Sequence, residues 1–108
     1  MTEPRRHLLV ETHHQPSGAS PACFDQARTL QGMGVEATVL LIENGVTAAV
    51  ETPALQRCLD SGIKVHVDGF CLRQRGLGPD DLHPETIVTD LDWLAEFLLD
   101  RDVAVVWH

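Results

Sequence analysis

The stretch EATVLLIE, residues 36–43, is an almost unbroken run of aliphatic and β-branched side chains between two glutamates. A strand with one wet face alternates apolar and polar residues. A continuous apolar run needs apolar neighbours on both faces, which a parallel sheet covered by helices supplies. The rest of the chain fits that demand. HLLVET (7–12) reads as a short strand and HHQPSGASP (13–21) as a loop. Ser20-Pro21 is a helix start, with Ser20 as the cap, and Cys23, Ala27 and Leu30 recur at helical spacing until Gly32 and Gly34. A turn beginning at Asn44 leads to a helix over Pro53–Asp60 that ends at Gly62.

IKVHVDG (63–69) alternates, with Ile63, Val65 and Val67 on one face and Lys64 and His66 on the other, so this strand is expected to have a wet face near an edge or an interface. FCLRQRG (70–76) is two turns of helix stopped by Gly76, LGPDDLHPE (77–85) is loop, and TIV (86–88) is a very short strand. TDLDWLAEFLLD (89–100) is an amphipathic helix capped by Thr89 or Asp90, its buried stripe read as Leu91, Leu94, Ala95, Leu98 and Leu99. VAVVW (103–107) closes the chain as a strand. Strands and helices alternate throughout. The expected fold is therefore α/β, a three-layer sandwich with a mostly parallel sheet of four to five strands, as one domain over residues 1–108.

Composition narrows the function. The formal charge is −8, which repels phosphate backbones and argues against direct nucleic-acid binding. The N-terminal MTEPRRHLLVETHH has too short an apolar run for a signal peptide or a membrane span, so a cytoplasmic protein is expected. Cys23, Cys58 and Cys71 are odd in number and lack C-x-x-C spacing, which fits free thiols in a reducing compartment and neither a disulfide framework nor a zinc motif. Phosphate-binding glycine loops, a Walker lysine, a G-x-S-x-G elbow and H-E-x-x-H are all missing from the sequence. No cofactor and no metal is expected.

Right-handed crossovers place the C-terminal ends of parallel strands on one edge, where such folds bind ligands. Loops 13–20, 43–48, 68–72 and 89–92 belong to that edge. They bring His13, His14, Asp68, Gly69 and Cys71 into one region. Cys71 lies in the first turn of its helix, where the helix dipole favours a thiolate, and Arg73 or Arg75 adds to this if either folds back. Asp68 opposes it, because a nearby carboxylate disfavours a second negative charge. Packing as a small apolar residue is the plain alternative for Cys71, and the preferred reading for Cys23 and Cys58. Adjacent His13 and His14 point in opposite directions on an extended chain, so a solvated loop is preferred to a shared metal. His83 is read as loop, and Trp93 and Trp107 as core or contact residues.

Four stretches together resemble the DsrE/DsrF-like (sulfur-relay) family: ACFDQARTL, VLLIENGVTAAV, GIKVHVDGFCLRQRGL and TDLDWLAEFLLDRDVAVVWH. They cover nearly the whole chain. The resemblance implies a doubly covered sheet in a flavodoxin-like arrangement, and assembly into trimers or hexamers, alone or with related subunits. Some family members carry a cysteine eight residues before the Arg-Gly glycine, which is Asp68 here. Others have a C-x-x-C, and Cys71 falls on its second cysteine. One thiol position is thus kept and the other is a carboxylate.

Three functions follow as alternatives. In the first, Cys71 carries sulfane sulfur as a persulfide between donor and acceptor proteins, assisted by Arg73 or Arg75, with His13, His14, Asp68 and Gly69 lining the substrate side. In the second, the chain is a non-catalytic oligomeric module that binds a small anion or a protein partner at the same edge. In the third, His13 or His14 joins Cys71 and Asp68 around a metal.

Overall fold

A computed structural model describes residues 6–14, 19–99 and 102–108. The centre of the first loop, 15–18, and the expected last helical residue, Asp100, lie outside the described residues. In chain order the elements are β1 (Arg6–Glu11), α1 (Ala22–Gly32), β2 (Glu36–Leu41), α2 (Pro53–Asp60), β3 (Lys64–Asp68), α3 (Gly69–Gln74), β4 (Ile87–Thr89), α4 (Leu91–Leu98) and β5 (Val103–Trp107). The turn after β2 is a 3-10 helix over Glu43–Ala49, and a second short one covers Pro79–Asp81.

All five strands are parallel and lie in the order β4-β3-β2-β1-β5. The first four progress in one direction, and β5 returns to the free side of β1. β2 sits at the centre, and its apolar run is buried on both faces as the sequence demands. On one face Leu9, Val39, Leu41, Val65 and Val67 pack against Phe24, Ala27, Leu55 and Leu72 of the helices. On the other face Leu8, Val10 and Leu40 form a smaller cluster, covered by α4.

Three local expectations change. Ser20 does not cap α1; Pro21 occupies the cap position without a side-chain bond, and the first turn closes through Phe24 N–H donating to the Pro21 carbonyl. The helix starts one residue later than expected, so the Ser20 hydroxyl falls out of reach of the first-turn amides. The buried stripe of α4 is also different. Trp93, Leu94 and Phe97 face the sheet, while Leu91, Leu98 and Leu99 are 70%, 47% and 82% exposed and Ala95 is exposed too. The two aromatic rings take the sheet-facing positions because each buries more surface than a leucine there: Trp93 stacks on His66 and Phe97 lies under the Arg6 guanidinium. The polar face of β3 is correspondingly not wet at its centre. His66 is buried beneath Trp93, and only Lys64 remains exposed.

The connection after β2 is pinned by a close approach. Gly45 is buried against β1, and a Cβ at that position would run into the Glu11 carbonyl oxygen. Gly45→Ala is expected to destabilise the protein by about 3 kcal/mol or more, since the backbone of β1 must shift. Gly32→Ala, where a Cβ meets nothing within 4 Å, serves as the control. It is expected to be neutral or stabilising by up to about 1 kcal/mol. Urea unfolding of both variants measures the difference.

Candidate functional site

At the end of β3 the Asp68 side chain turns back and accepts the Cys71 N–H at 3.0 Å, capping α3. That bond fixes where the cysteine sits. Asp68 is 6% exposed and so is Cys71, so the carboxylate and the thiol share one buried corner. Across from it, the chain leaving β2 adopts a positive φ of 51° at Glu43. Such a conformation is strained for a residue with a Cβ. It aims the Glu43 N–H at the Cys71 sulfur, 3.2 Å away. The sequence places loop 43–48 on this edge and a turn at Asn44, but nothing in it marks the Glu43 amide as a partner of Cys71.

The electrostatics of the thiol follow from these neighbours. Burial raises its pKa first, and the hydrogen bond and negative charge of Asp68 raise it further; the Glu43 N–H pulls the other way, and the Glu43 charge adds to the rise. Of the opposed effects on Cys71, the carboxylate and burial outweigh the amide. Cys71 therefore rests as a thiol.

Neither arginine provides a hydrogen bond to the sulfur. Arg75 donates through Nη1 to the Cys71 carbonyl at 3.2 Å and through Nε and Nη2 to Asn44 Oδ1 at 3.1 and 2.9 Å. It also lies 3.6 Å from the Glu43 carboxylate. Arg75 thus ties α3 to the strained turn. Arg73 extends to the opposite side, over Gly69 and towards β4, where it lines an open pocket of about 320 Å³ with Asp68, Gly69, Phe70 and Leu91. Asp68 both lines this pocket and accepts the Cys71 N–H.

The histidines of the first loop lie at the end of β1. His13 Nδ1 is 3.6 Å from Glu11 Oε2, and His14 Nδ1 is 3.0 Å from Thr47 Oγ1 on the 3-10 turn. Both side chains are exposed. Beneath them Glu11 is almost fully buried, and its Oε2 accepts the backbone N–H groups of Thr12 and His13 at 3.1 and 3.2 Å. Nothing within HLLVET marks this carboxylate as buried. Among the described residues no three His, Cys, Asp or Glu side chains converge as metal ligands, and no helix is long and apolar enough to cross a membrane.

The remaining cysteines are packing residues by geometry. Cys23 and Cys58 have no exposed surface. Burial, with Glu11 nearby, drives the Cys23 thiol far up, and burial pushes Cys58 up to about 12. His83, expected only as part of a loop, is buried. Its Nε2 donates to Gln56 Oε1 at 2.7 Å while Nδ1 accepts the Glu85 N–H at 3.0 Å, so the ring ties the loop to α2.

The fold is shared with two solved structures. The YchN protein from E. coli is 19% identical, with 95% of this chain and 99% of that one covered at a TM-score of 0.72. MTH1491, a protein of unknown function from Methanobacterium thermoautotrophicum, is 14% identical, with 95% and 98% covered at a TM-score of 0.78. No family model and no curated protein matches the sequence. At these identities the likeness is one of fold, the helix-covered parallel sheet that the DsrE-like resemblance implies.

His66 supplies a test of the buried polar face. Its ring stacks on Trp93 at 3.9 Å and its Nδ1 lies 3.0 Å from Thr89 Oγ1. Burial, with Lys64 close by, lowers its pKa to about 4. An unfolded imidazole titrates near 6.5, so between those values the unfolded chain holds the extra proton. Stability from this residue is complete above about pH 6.5 and is lost as pH falls towards 4, by about 3 kcal/mol in all. Urea unfolding across that range is expected to show the loss in the wild type, and a shallower slope in His66→Gln.

Proposed function

We propose that the protein is a cytoplasmic sulfur carrier in which Cys71 receives sulfane sulfur from a donor protein and passes it to an acceptor thiol. The observation that carries this reading is the Glu43 N–H held on the Cys71 sulfur by a strained backbone. A merely packed cysteine needs no such donor, whereas a sulfur that becomes anionic during exchange is stabilised by one.

In the forward step Asp68 accepts the thiol proton as the Cys71 sulfur attacks the outer sulfur of a donor persulfide. The donor S–S bond breaks, a Cys71 persulfide forms, and the donor sulfur leaves as a thiolate that is then protonated. Attack by an acceptor thiolate on the outer sulfur reverses the bonding and regenerates the Cys71 thiol. Thiolate attack is the chemistry that this exchange requires. The carboxylate at the position of a second family thiol thus becomes the base. Arg75 keeps the turn and α3 in register, Arg73 and Gly69 line the neighbouring pocket, and His13 and His14 border the same edge. The carrier works as a trimer or hexamer, alone or with related subunits.

The second reading, a non-catalytic module binding an anion or a protein partner at this edge, is favoured by the buried, protonated state of Cys71. One experiment separates the two. After incubation with a persulfide-loaded carrier protein, peptide mass spectrometry is expected to find one added sulfur on Cys71, removable by reductant, and none on Cys23 or Cys58. Cys71→Ser is expected to abolish loading, because a hydroxyl cannot take the place of the attacking thiolate. Glu43→Gly retains the amide and relieves the positive φ, so loading persists. Failure of Cys71 to load while a second carrier in the same tube does so would establish the module instead.

A further inference from the structure

The two faces of the sheet are covered unequally. Residues of α1, α2 and α3 pack on the face of Leu9, Val39 and Val65. On the other face α4 packs over Leu8, Val10 and Leu40, with Val103 and Val105 beside them. Neighbouring strands lie about 4.8 Å apart and a helix with its side chains is about 10 Å across, so one helix cannot roof all five strands. Beside α4, over β2 and β3, a groove of about 170 Å³ stays open. Thr38, Lys64 and His66 line its floor, Trp93 and Phe97 form a wall, and Arg6 stands at one end.

Two of the floor residues are buried and still have a polar atom to present. Thr38 is 4% exposed and His66 7%. The Thr38 hydroxyl has no hydrogen-bond partner among the described residues. The His66 ring is held by the Trp93 stack and by Thr89 Oγ1, 3.0 Å from Nδ1. With the Thr89 hydroxyl as donor to Nδ1, the ring proton sits on Nε2, which points away from Thr89 and towards the Lys64 end of the groove. Lys64 is the register partner of Thr38 and lies two residues before His66, on the same face. It is exposed and enters no ion pair among the described residues. Arg6 is anchored at the far end, with Nε 3.6 Å from Glu36 Oε2 and the guanidinium over the Phe97 ring.

The geometry points to this groove as a binding site for a small oxyanion of the size of free phosphate. Thr38 Oγ1 and His66 Nε2 donate from the floor, and the Lys64 ammonium supplies charge from the rim. A buried polar atom without a partner costs free energy, and a bound oxyanion gives both floor donors the acceptor they lack. Burial, with Lys64 close by, keeps the His66 ring neutral at pH 7, so it contributes an N–H and no charge. The groove is smaller than the roughly 300 Å³ at which sites for drug-sized ligands begin, which favours a free ion over a nucleotide. Charge sets the sign of the ligand. Arg6 and Lys64 face one lining carboxylate here, that of Glu36. The larger pocket at the C-terminal strand edge sets Asp68, Asp90 and Asp92 against Arg73, and so disfavours an anion. The formal charge of −8 opposes any anion from a distance, but exposed charges beyond about 10 Å are largely screened at roughly 0.1 M salt. The groups inside the groove therefore dominate.

Titration of the full chain with inorganic phosphate, followed by NMR and matched against chloride at equal ionic strength, tests this. The expected result is saturable shifts of the Thr38 amide, the His66 ring and the Trp93 indole, absent with chloride. Lys64→Gln removes the charge at an exposed position and is expected to weaken binding at least about tenfold, as loss of a charge-assisted hydrogen bond does. Thr38→Val keeps the shape of the side chain without its hydroxyl and is expected to weaken binding about fivefold. Shifts that do not saturate overturn the inference. Unchanged affinity in Lys64→Gln overturns it as well, whether or not Thr38→Val folds. Shifts confined to Asp68, Gly69 and Arg73 would place the anion at the opposite edge and overturn this site. A phosphate monoester that binds more tightly than the free ion overturns the free ion as occupant. Both variants leave Cys71 in place, so sulfur loading and oxyanion binding can each fail alone.

Discussion

The bond from Cys71 N–H to the Asp68 carboxylate is the constraint around which the candidate site is organised. It ends β3, starts α3 and determines how far the thiol sits from the strand. Because the same carboxylate also raises the thiol pKa, capping and chemistry are coupled. An asparagine would cap the helix almost as well, but it would remove the charge that holds the proton. The short helix alone does not decide the protonation of Cys71, since its dipole acts against a full carboxylate charge in a buried corner.

The second half of the site comes from a different strand. Glu43 follows β2, and its left-handed backbone is held by the Arg75–Asn44 bonds on one side and by the packing of Gly45 on β1 on the other. Three adjacent strands, β1, β2 and β3, thus cooperate to place one amide on one sulfur. The sheet order makes this possible, because these strands are direct neighbours and end on the same edge. A thiol held in this way is shielded from solvent.

The layered fold was legible in the sequence because its strongest signals are local. The EATVLLIE run, the alternation at 63–67 and the glycines at 34, 62 and 76, each with positive φ in the structure, all mark elements or their ends. The misread features depend on distant partners. Nothing within TDLDWLAEFLLD states that Trp93 will find His66 on β3 or that Phe97 will find Arg6 on β1, so the stripe of leucines looked like the buried face. Burial of Glu11 and His83 is likewise set by neighbours far along the chain. Within the site, Cys71 and Asp68 could be found from their spacing, whereas the Glu43 amide could not, because a backbone donor has no residue signature.

Thiol titration addresses the coupling of Asp68 to Cys71 most directly. The rate of alkylation of Cys71 as a function of pH, in the unfolding-free range and with Cys23 and Cys58 buried, reports its thiolate fraction. A pKa above the ordinary cysteine value in the wild type, brought down in Asp68→Asn, is the predicted result. A wild-type pKa at or below the ordinary value, or one that Asp68→Asn leaves unchanged, would contradict the assignment of Asp68 as the group that holds the Cys71 proton.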